Sequence, residues 1–347
     1  MDKISVIMPV YNAGADLFQS VVSLCQQTYE NMEIILVNDC STDDSWLRML
    51  ALEQKFPDKI MAINCEENRG PGGARNIGLS YATGDYIGFC DSDDEAKRDM
   101  FELLHDKAVE GDYDMVDSAY YCKRDNEVVR LTQNDMTGEL DDEKRSKLIL
   151  GGGFLWSRLF KRSVLLDPLK PMREKCTLED SDYLVSLFAT MKSAGNIDKV
   201  VYYYDDLKDS ASHPKDRAKS TEELKAAADG IYKCTKNLPN YKGIREAVEY
   251  RILELYDIAI EELLNEYLLN DKTTWDFTRH YLQDLRLWKL SIIPAGYNNQ
   301  YLRPRLSERQ ILIMKDNDKS PEKLMNTIQV IPEDRKKVKE YRAAHGK

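Results

Sequence analysis

The sequence predicts an α/β fold, with a mostly parallel sheet flanked by helices and a helical C-terminal region. Four short apolar runs, residues 4–10, 33–37, 60–64 and 86–90, are rich in Ile and Val and begin 26 to 29 residues apart. Helix-period stretches separate them, and this alternation is typical of right-handed βαβ units in a parallel sheet. After about residue 215 the strand signals end and helical periodicity continues alone.

Two amphipathic helices are predicted between the first three strands. Their apolar faces are Leu17, Val21 and Leu24 in the first helix and Trp46, Leu47 and Leu50 in the second. Residues 41–44, Ser-Thr-Asp-Asp, supply N-cap candidates for the second helix. Their acidic side chains also suit the positive end of the helix dipole in the first turn.

The pattern of elements changes after Asp94. Helices are predicted at 103–109, 141–150 and 182–191, and strands at 114–121, 127–131, 154–160 and 200–204, with a triple-glycine break at 151–153. Four more helices are predicted at 226–232, 245–269, 275–290 and 332–344. We therefore divide the chain into an α/β domain at 1–215, with halves 1–95 and 96–215, and a helical region at 216–347.

The longest predicted helix, 245–269, has one broad apolar stripe. The stripe consists of Ile252, Leu255, Tyr256, Ala259, Ile260, Leu263 and Leu264, and the opposite face carries Glu246, Glu249, Glu261 and Glu262. Such a stripe is expected to pack on the α/β domain or on neighbouring helices. With Trp275, Trp288 and Tyr297 nearby, this region also suits a homo-oligomer contact or a carbohydrate platform.

The composition restricts the partners of the chain. A net charge of −11 over 347 residues, with no evident basic patch, argues against nucleic acid. The seven cysteines are widely spaced and form no CxxC pair, so reduced thiols in a cytoplasmic protein are expected. The first apolar run is too short for a signal peptide, and no segment approaches the ~20 apolar residues of a membrane span. Peripheral association with the inner face of a membrane stays open.

Polar side chains follow each of the four N-terminal strands. They are Tyr11 and Asn12 after the first, Asp39 after the second, Asn68, Arg69 and Arg75 after the third, and Asp91, Ser92, Asp93 and Asp94 after the fourth. Because ligands bind at the carboxyl ends of parallel strands, we expect these side chains at one rim. Each of them singly also suits a turn or a helix cap. Together, the Asp-x-Asp spacing offers hard oxygen ligands for Mg²⁺ or Mn²⁺, which in turn binds phosphate oxygens.

Four ordered motifs carry a specific resemblance. ISVIMPVYNAG, IILVNDCSTDDS, ENRGPGGARNIGL and YIGFCDSDD, within residues 4–94, resemble the family 2 glycosyltransferases of the bacterial cell-surface polysaccharide type, which have the GT-A fold. LWSRLFK, at 155–161, resembles the segment before that family's acceptor site, and Glu179-Asp180 resembles its catalytic motif. The resemblance fades after about residue 213. It implies a nucleotide-sugar half at 1–95 and an acceptor half at 96–215.

The resemblance also implies roles for individual residues. Pro9, Val10, Tyr11, Asn12 and Asp39 would hold the nucleoside base, with Asp39 accepting from a uracil imide. Asn68, Gly73, Arg75, Asn76, Asp91, Ser92 and Glu179 would contact the nucleotide sugar, Asp93 would bind Mn²⁺ or Mg²⁺, and Asp180 would be the general base. Because an ordinary aspartate is ionised at neutral pH, Asp180 is expected to need position more than a shifted pKa.

The implied reaction is an inverting transfer. A hexosyl or N-acetylhexosaminyl group would move from a nucleoside-diphosphate sugar, with UDP favoured, to a hydroxyl of a saccharide or glycan acceptor. One departure from the family concerns the diphosphate, because the family's arginine is missing after Tyr202-Tyr203-Tyr204. His213 or Lys215 would have to replace it. His213 is therefore a candidate contact to the metal or the diphosphate, although an exposed loop histidine is the simpler explanation.

Other functional classes fit less well. A sugar nucleotidyltransferase carries a Gly-rich basic loop after its first strand, where this chain has Pro-Val-Tyr-Asn. A dehydrogenase needs G-x-G-x-x-G after a strand, and residues 70–78 have the wrong spacing. A glycoside hydrolase uses paired carboxylates but needs no Asp-x-Asp beside a nucleotide cleft. The alternative is a catalytically degenerate transferase that acts as a scaffold or binding module through its helical tail. The presence of Asp39, Asp93 and Asp180 disfavours it.

Overall fold

The computed structural model describes residues 1–166, 171–176, 178–205, 217–269 and 273–331. The first elements are β1 (Ile4–Val10), α1 (Asp16–Cys25), β2 (Met32–Asn38), α2 (Ser45–Lys55), β3 (Ile60–Asn64), α3 (Gly70–Tyr81) and β4 (Tyr86–Phe89). The next are β5 (Glu95–Ala96), α4 (Met100–Gly111), β6 (Met115–Cys122), β7 (Glu127–Val129), a 3₁₀ turn (Asn134–Met136), β8 (Gly138–Glu139), α5 (Asp142–Gly151), β9 (Arg158–Lys161), α6 (Arg162–Leu166), α7 (Glu179–Thr190) and β10 (Ser193–Tyr204).

These strands form one sheet with the order β3-β2-β1-β4-β9-β6-β10-β5, while β7 pairs with β6 and β8 with β10. β1 is parallel to β2 and β4, and β2 is parallel to β3, so the carboxyl ends of all four share one edge. β9 is antiparallel to both β4 and β6, and β10 is parallel to β6. β6 and β10 therefore also end at that edge. The predicted α/β class, with a mostly parallel sheet, is confirmed.

The central strands are apolar runs because helices cover both faces of a parallel sheet. In α1 the predicted face is confirmed, since Leu17, Val21 and Leu24 are all buried. In α2 the predicted face is wrong, because Leu47 is 67% exposed while Met49 and Leu52 are buried. The buried stripe of α2 starts at Ser45, and position 47 lies about 200° around the helix from it.

The start of α2 also differs from the prediction. Its N-cap residue is Asp44, whose side chain makes no capping hydrogen bond, and its first turn contains no acidic residue. Instead, Asp43 Oδ1 accepts from the Ser45 N–H at 2.9 Å. Asp43, rather than the N-cap residue Asp44, therefore binds a backbone N–H of the first turn.

Residues 96–205 largely follow the predicted elements, and the two largest differences concern the bounds of two strands. The predicted strand at 154–160 is confined to Arg158–Lys161, because Phe154 and Trp156 stack on each other in an aromatic cluster instead of joining the ladder. β10 begins at Ser193 instead of residue 200, and its register against β6 shifts between Ile197 and Tyr202. Such a bulge interrupts the alternation on which a strand prediction depends.

The C-terminal region is helical, as predicted. It contains α8 (Arg217–Thr235), α9 (Tyr241–Leu269), α10 (Trp275–Ile292), α11 (Leu302–Arg305), α12 (Glu308–Lys319) and α13 (Pro321–Ile328). The sequence pattern missed α11, α12 and α13, although Ser307 and Gln310 form a capping box and Pro321 opens α13. The helix predicted at 332–344 lies outside the described residues.

α9 is the central helix of this region and packs against α8, α10 and α12. All seven residues of its predicted apolar stripe are buried. The acidic residues of the opposite face are half-buried, since Glu261 pairs with Arg309 of α12 and Glu262 accepts from Ser220 Oγ of α8 at 2.6 Å. Neighbouring helices therefore cover both sides of α9.

Residue contacts divide the chain into two compact units, Met1–His213 and Pro214–Lys347. All seven cysteines are free thiols. In the ranges that the structure describes, no helix combines the length and apolar character needed to cross a bilayer. The separate roles of a donor half and an acceptor half remain predictions.

Candidate active site

The turn after β1 is bonded to the loop after β2. The Asn12 N–H donates to Ser41 Oγ at 3.0 Å, and Asn12 Oδ1 accepts from the Thr42 N–H at 2.8 Å. Asn12 itself has a φ of 50°, in the left-handed region that Asn tolerates better than most residues. The side chain of Asn12 therefore holds two strand ends together at the carboxyl edge.

Asp39 is a buried carboxylate directly after β2. Its Oδ1 accepts from the Arg69 N–H at 2.7 Å, and its backbone carbonyl accepts from Asn68 Nδ2 at 3.1 Å. Burial raises the pKa of Asp39, while the N–H groups of Arg69 and Gly70 oppose that rise. The structure thus brings together Asp39 and Asn68, which the sequence assigned to one pocket from separate motifs.

Arg75, on α3, connects two carboxylates that are distant in sequence. Its Nη2 donates to Asp91 Oδ1 at 2.8 Å, and its Nη1 pairs with Glu179 Oε1. Arg75 is only 5% exposed. Burial alone would lower the pKa of Arg75, but the charges of Asp91 and Glu179 outweigh it and raise the pKa above its usual range. The end of β4 and the start of α7 therefore meet at one guanidinium.

Asp180 follows Glu179 in the first turn of α7. Burial, together with the charges of Glu179 and Asp91, raises the pKa of Asp180 to about 7, although Arg75 opposes the rise. The expectation of an ordinary pKa for Asp180 is therefore wrong. The cause is the tertiary structure, which brings the carboxylates of Asp91, Glu179 and Asp180 close to the single guanidinium of Arg75.

The loop after β4 carries a second group of crowded carboxylates. Burial and the charge of Asp91 raise the pKa of Asp93 to about 6. The same two causes raise the pKa of Asp94 to about 8. Ser92 contributes its carbonyl, which accepts from Ser20 Oγ at 3.0 Å and fixes the loop against α1. Burial and mutual repulsion therefore both disfavour the ionised forms of the carboxylates in this loop.

Tyr202 and Asp94 form a contact that the sequence analysis did not identify. Tyr202 Oη donates to Asp94 Oδ2 at 2.8 Å and accepts from the Asp91 N–H at 3.1 Å. Asp94 Oδ1 also accepts from the Asp205 N–H at 2.8 Å. The sequence of the tyrosine run indicates only a missing arginine, yet its first member orients the Asp-x-Asp loop.

Two residues predicted in the nucleotide-sugar pocket have clear packing roles. A Cβ at Gly73 would lie 2.3 Å from Arg69 Cβ, so only glycine fits there. The side chain of Asn76 bonds to the backbone of Met172 in both directions, at 2.9 and 3.1 Å. Their contact with a donor remains a prediction.

Of the remaining predicted site residues, Pro9, Val10 and Tyr11 lie at the same edge of the sheet, and His213 lies outside the described residues. Pro9 and Val10 belong to β1, and Tyr11, just after it, is 52% exposed. His213 lies outside the described residues, so its metal or diphosphate role stays a prediction.

The Asp-x-Asp loop fits a divalent cation by its chemistry. Asp93 offers a hard oxygen donor, and burial together with the charge of Asp91 disfavours its ionised form, which a bound cation would stabilise. Within the described part of the chain, no group of three His, Cys, Asp or Glu side chains is placed so that it could bind a metal ion without other ligands. A cation at Asp93 would therefore need further ligands from a diphosphate and water, as is usual for Mg²⁺.

Sequence comparison shows a likeness to a known family. Residues 5–166 match the model described as Glycosyl transferase family 2. Glycosyltransferase GlyG of Streptococcus pneumoniae serotype 4 is 41% identical over 120 residues, which are 35% of this chain and 40% of GlyG. The minor teichoic acid biosynthesis protein GgaB of Bacillus subtilis is 30% identical over 226 residues, 63% of this chain and 24% of GgaB. The chain thus spans less than half the length of either relative.

Solved structures share the fold at low sequence identity. The S. aureus TarS 1–349 structure in complex with UDP-GlcNAc has a TM-score of 0.72 and 17% identity, covering 99% of this chain and 92% of that one. The Pyrobaculum calidifontis mannosyltransferase PcManGT, in complex with GDP-Man and Mn²⁺, has a TM-score of 0.54 and 16% identity over 86% of this chain and 87% of that one. With the four strand-end motifs and the Glu179-Asp180 pair on one edge, residues 5–166 resemble the family 2 glycosyltransferases, and the chain has the GT-A fold.

Proposed function

We propose that the chain transfers a sugar from a UDP-sugar to a hydroxyl of a saccharide or glycan acceptor, with inversion at the anomeric carbon. The observation that carries the proposal is the Arg75 bridge, which unites Asp91 at the end of β4 with Glu179 at the start of α7. Through this bridge, the loop that contains Asp91 and Asp93 and the turn that contains Asp180 interact with the same guanidinium. Either group alone would suit a cap or a turn, but a transferase needs both together.

Donor recognition is assigned to the edge formed by the ends of β1 to β4. Asp39 is a buried acceptor suited to an imide N–H, and Asn68 lies beside it. The pair supports a uracil base. TarS, with a TM-score of 0.72, holds UDP-GlcNAc or UDP, and PcManGT, with a TM-score of 0.54, holds GDP-Man; the greater likeness to TarS supports UDP. The donor sugar is a hexose or an N-acetylhexosamine.

Asp180 is assigned as the general base. Its carboxylate would accept the proton of the acceptor hydroxyl as that oxygen bonds to the anomeric carbon and the bond from this carbon to the diphosphate oxygen breaks. Attack from the face opposite the diphosphate inverts the anomeric centre. A pKa near 7 suits the role, because a base works best when its pKa lies near the working pH.

Asp93 is assigned as the protein ligand of Mn²⁺ or Mg²⁺. When bound, such a cation offsets the negative charge that develops on the departing diphosphate. The Mn²⁺ in PcManGT supports the assignment. Asp91, held by Arg75, is assigned to the ribose or sugar side of the donor.

A donor screen tests the proposal directly. The chain is incubated with common UDP-sugars, Mn²⁺ and a panel of saccharide acceptors, and products are identified by mass spectrometry. Calorimetry with UDP runs alongside. We expect micromolar to millimolar UDP binding and turnover of at least one UDP-sugar, as is usual for enzyme substrates. A chain that binds no UDP in the presence of Mn²⁺ would contradict the donor assignment. One that binds UDP but turns over no donor would favour the scaffold alternative.

A further inference from the structure

We propose that Asn76 is a positioning residue for Asp180, acting through residues 171–176, which we name the bridging segment. The proposal rests on the proposed transferase function and deepens it. Asn76 would then set the rate of transfer without contacting the donor, unlike the pocket role that the family resemblance implies.

The bridging segment is bonded to α3 by backbone groups. Asn76 Nδ2 donates to the Met172 carbonyl at 2.9 Å, and Asn76 Oδ1 accepts from the Met172 N–H at 3.1 Å. Further along, the Lys175 N–H donates to the Arg69 carbonyl at 2.6 Å. Because Met172 is 1% exposed, its two backbone groups depend on this amide for their hydrogen bonds. Both ends of the Asn76 amide are thus already engaged.

Glycines at the start of α3 allow the bridging segment to approach the helix closely. A Cβ on Gly72 would lie 2.1 Å from the Arg173 carbonyl oxygen and 2.9 Å from Glu179 Cβ. Gly70 has a φ of 74°, and a Cβ there would lie 3.0 Å from the Lys175 nitrogen. The glycines of this motif therefore let the bridging segment and α7 pack directly on the helix. A larger side chain would push both away.

The same segment is bonded to α7. Arg173 Nη2 donates to the Leu178 carbonyl at 2.7 Å, and Arg173 Nε donates to Asp182 Oδ1 at 3.1 Å. Asp182 is completely buried, so this carboxylate is a fixed anchor. Leu178 and Asp182 lie on either side of Asp180 in the chain. Arg173 therefore fixes the turn that carries the base.

Two connections consequently hold the first turn of α7 against α3. One is the direct ion pair between Arg75 and Glu179, and the other runs from Asn76 through Met172 and Arg173. Arg75 and Asn76 are neighbours, so both connections start at one point of α3. A displacement of the base by about 1 Å costs up to about 100-fold in rate, because the reacting atoms must be held in a near-attack geometry.

The test compares Asn76→Ala and Asn76→Asp with wild type. For each protein, UDP affinity is measured by calorimetry, and kcat and KM for UDP release from UDP-GlcNAc, or from the best donor of the screen, are measured with Mn²⁺. We expect Asn76→Ala to lower kcat about 10- to 100-fold, with UDP affinity and KM changed less than twofold. Asn76→Asp, which keeps the acceptor for the Met172 N–H, should lie between. Arg173→Lys, which keeps the charge but loses the forked geometry, should resemble Asn76→Ala.

Glu67→Gln is the matched control, because it weakens only exposed ion pairs, to Lys175 of the bridging segment and to Arg69. Its kcat should equal that of wild type. Parallel losses of UDP affinity and kcat in Asn76→Ala would overturn the proposal and return Asn76 to the donor pocket, and an unchanged kcat would also overturn it. Hydrogen exchange of 171–180, faster in Asn76→Ala if the bridge is real, needs no turnover. It therefore separates failure of the bridge from failure of the transferase assignment.

Discussion

Arg75 and Glu179 are 104 residues apart in sequence and form a buried ion pair. Arg75 also donates to Asp91 at 2.8 Å, so its guanidinium joins helix α3, the end of β4 and the start of α7. Asp180 lies beside this bridge: burial and the charges of Glu179 and Asp91 raise the pKa of its carboxyl, and Arg75 opposes the rise. The same contact therefore serves the stability of the fold and the electrostatics of the proposed base.

Arg75→Met should strongly destabilise the chain. The substitution leaves the buried Glu179 and the neighbouring Asp91 without their shared counter-ion, and breaking a buried pair in this way costs about 3–5 kcal/mol. Urea unfolding followed by circular dichroism measures the change. Arg48→Met is the control, because Arg48 and Asp44 form an exposed pair. Equal unfolding midpoints for the two variants would show that the Arg75 bridge is not a structural anchor.

Turnover should depend on the ionisation of Asp180. With a pKa of about 7, the carboxyl is mostly protonated below pH 6 and mostly ionised above pH 8. Since a base acts in its ionised form, we expect kcat to rise through about pH 7. Asp180→Asn should keep UDP affinity but lose kcat by several orders of magnitude. Calorimetry and a pH–rate profile decide the matter, and equal losses of binding and rate would place Asp180 in the donor site.

Asp180→Asn should also raise the melting temperature, but only at higher pH. The folded state raises the pKa of Asp180 from its ordinary value near 4 to about 7, so ionisation of Asp180 destabilises the fold. This loss is absent below pH 4, grows as the pH rises, and is complete above pH 7. We expect the variant to melt higher than wild type at pH 8, by about 2–4 °C for each kcal/mol of this loss, and at the same temperature near pH 4. A constant difference across this range would rule out the charge as its cause.

Asp93→Asn should abolish transfer, as EDTA should in the wild type. The variant removes a hard oxygen donor but keeps the shape of the side chain. Because the pKa of Asp93 is about 6, protons should compete with Mn²⁺, and Mn²⁺ affinity measured with UDP present should fall below pH 6. Asp44→Asn, on an exposed carboxylate, should change neither property. Full activity in EDTA would remove the metal from the proposal.

Truncation after about residue 218 tests the role of the helical region. We predict that UDP binding survives, because Asp39, Asn68, Arg75 and Asp91 all lie in the first unit. Transfer to the acceptor, or the oligomeric state, should change. Calorimetry and light scattering on the soluble fragment provide the measurements. A folded fragment that has lost UDP affinity would assign the helices to the donor site.

Several elements could be predicted because their signal is local. β1 and β3 have the predicted bounds, β2 is one residue longer at each end and β4 ends one residue earlier, since continuous Ile- and Val-rich runs identify buried parallel strands. The strand predicted at 200–204 is shorter than β10 because the bulge in β10 breaks the alternation of apolar and polar residues. The buried face of α2 was misassigned because a helix with scattered apolar residues does not reveal which side meets the sheet.

The sequence by itself determined the α/β fold class, the four parallel strands of the first half and the residue types at the carboxyl edge, because these depend on local pattern and on motifs of fixed spacing. Only the tertiary structure decided that Arg75 reaches Glu179, that Tyr202 orients the loop of Asp91 and Asp94, and that Asn76 bonds to Met172. The pKa of Asp180 was beyond prediction for the same reason. It depends on burial and on charges from distant segments, and those distances exist only once the chain has folded.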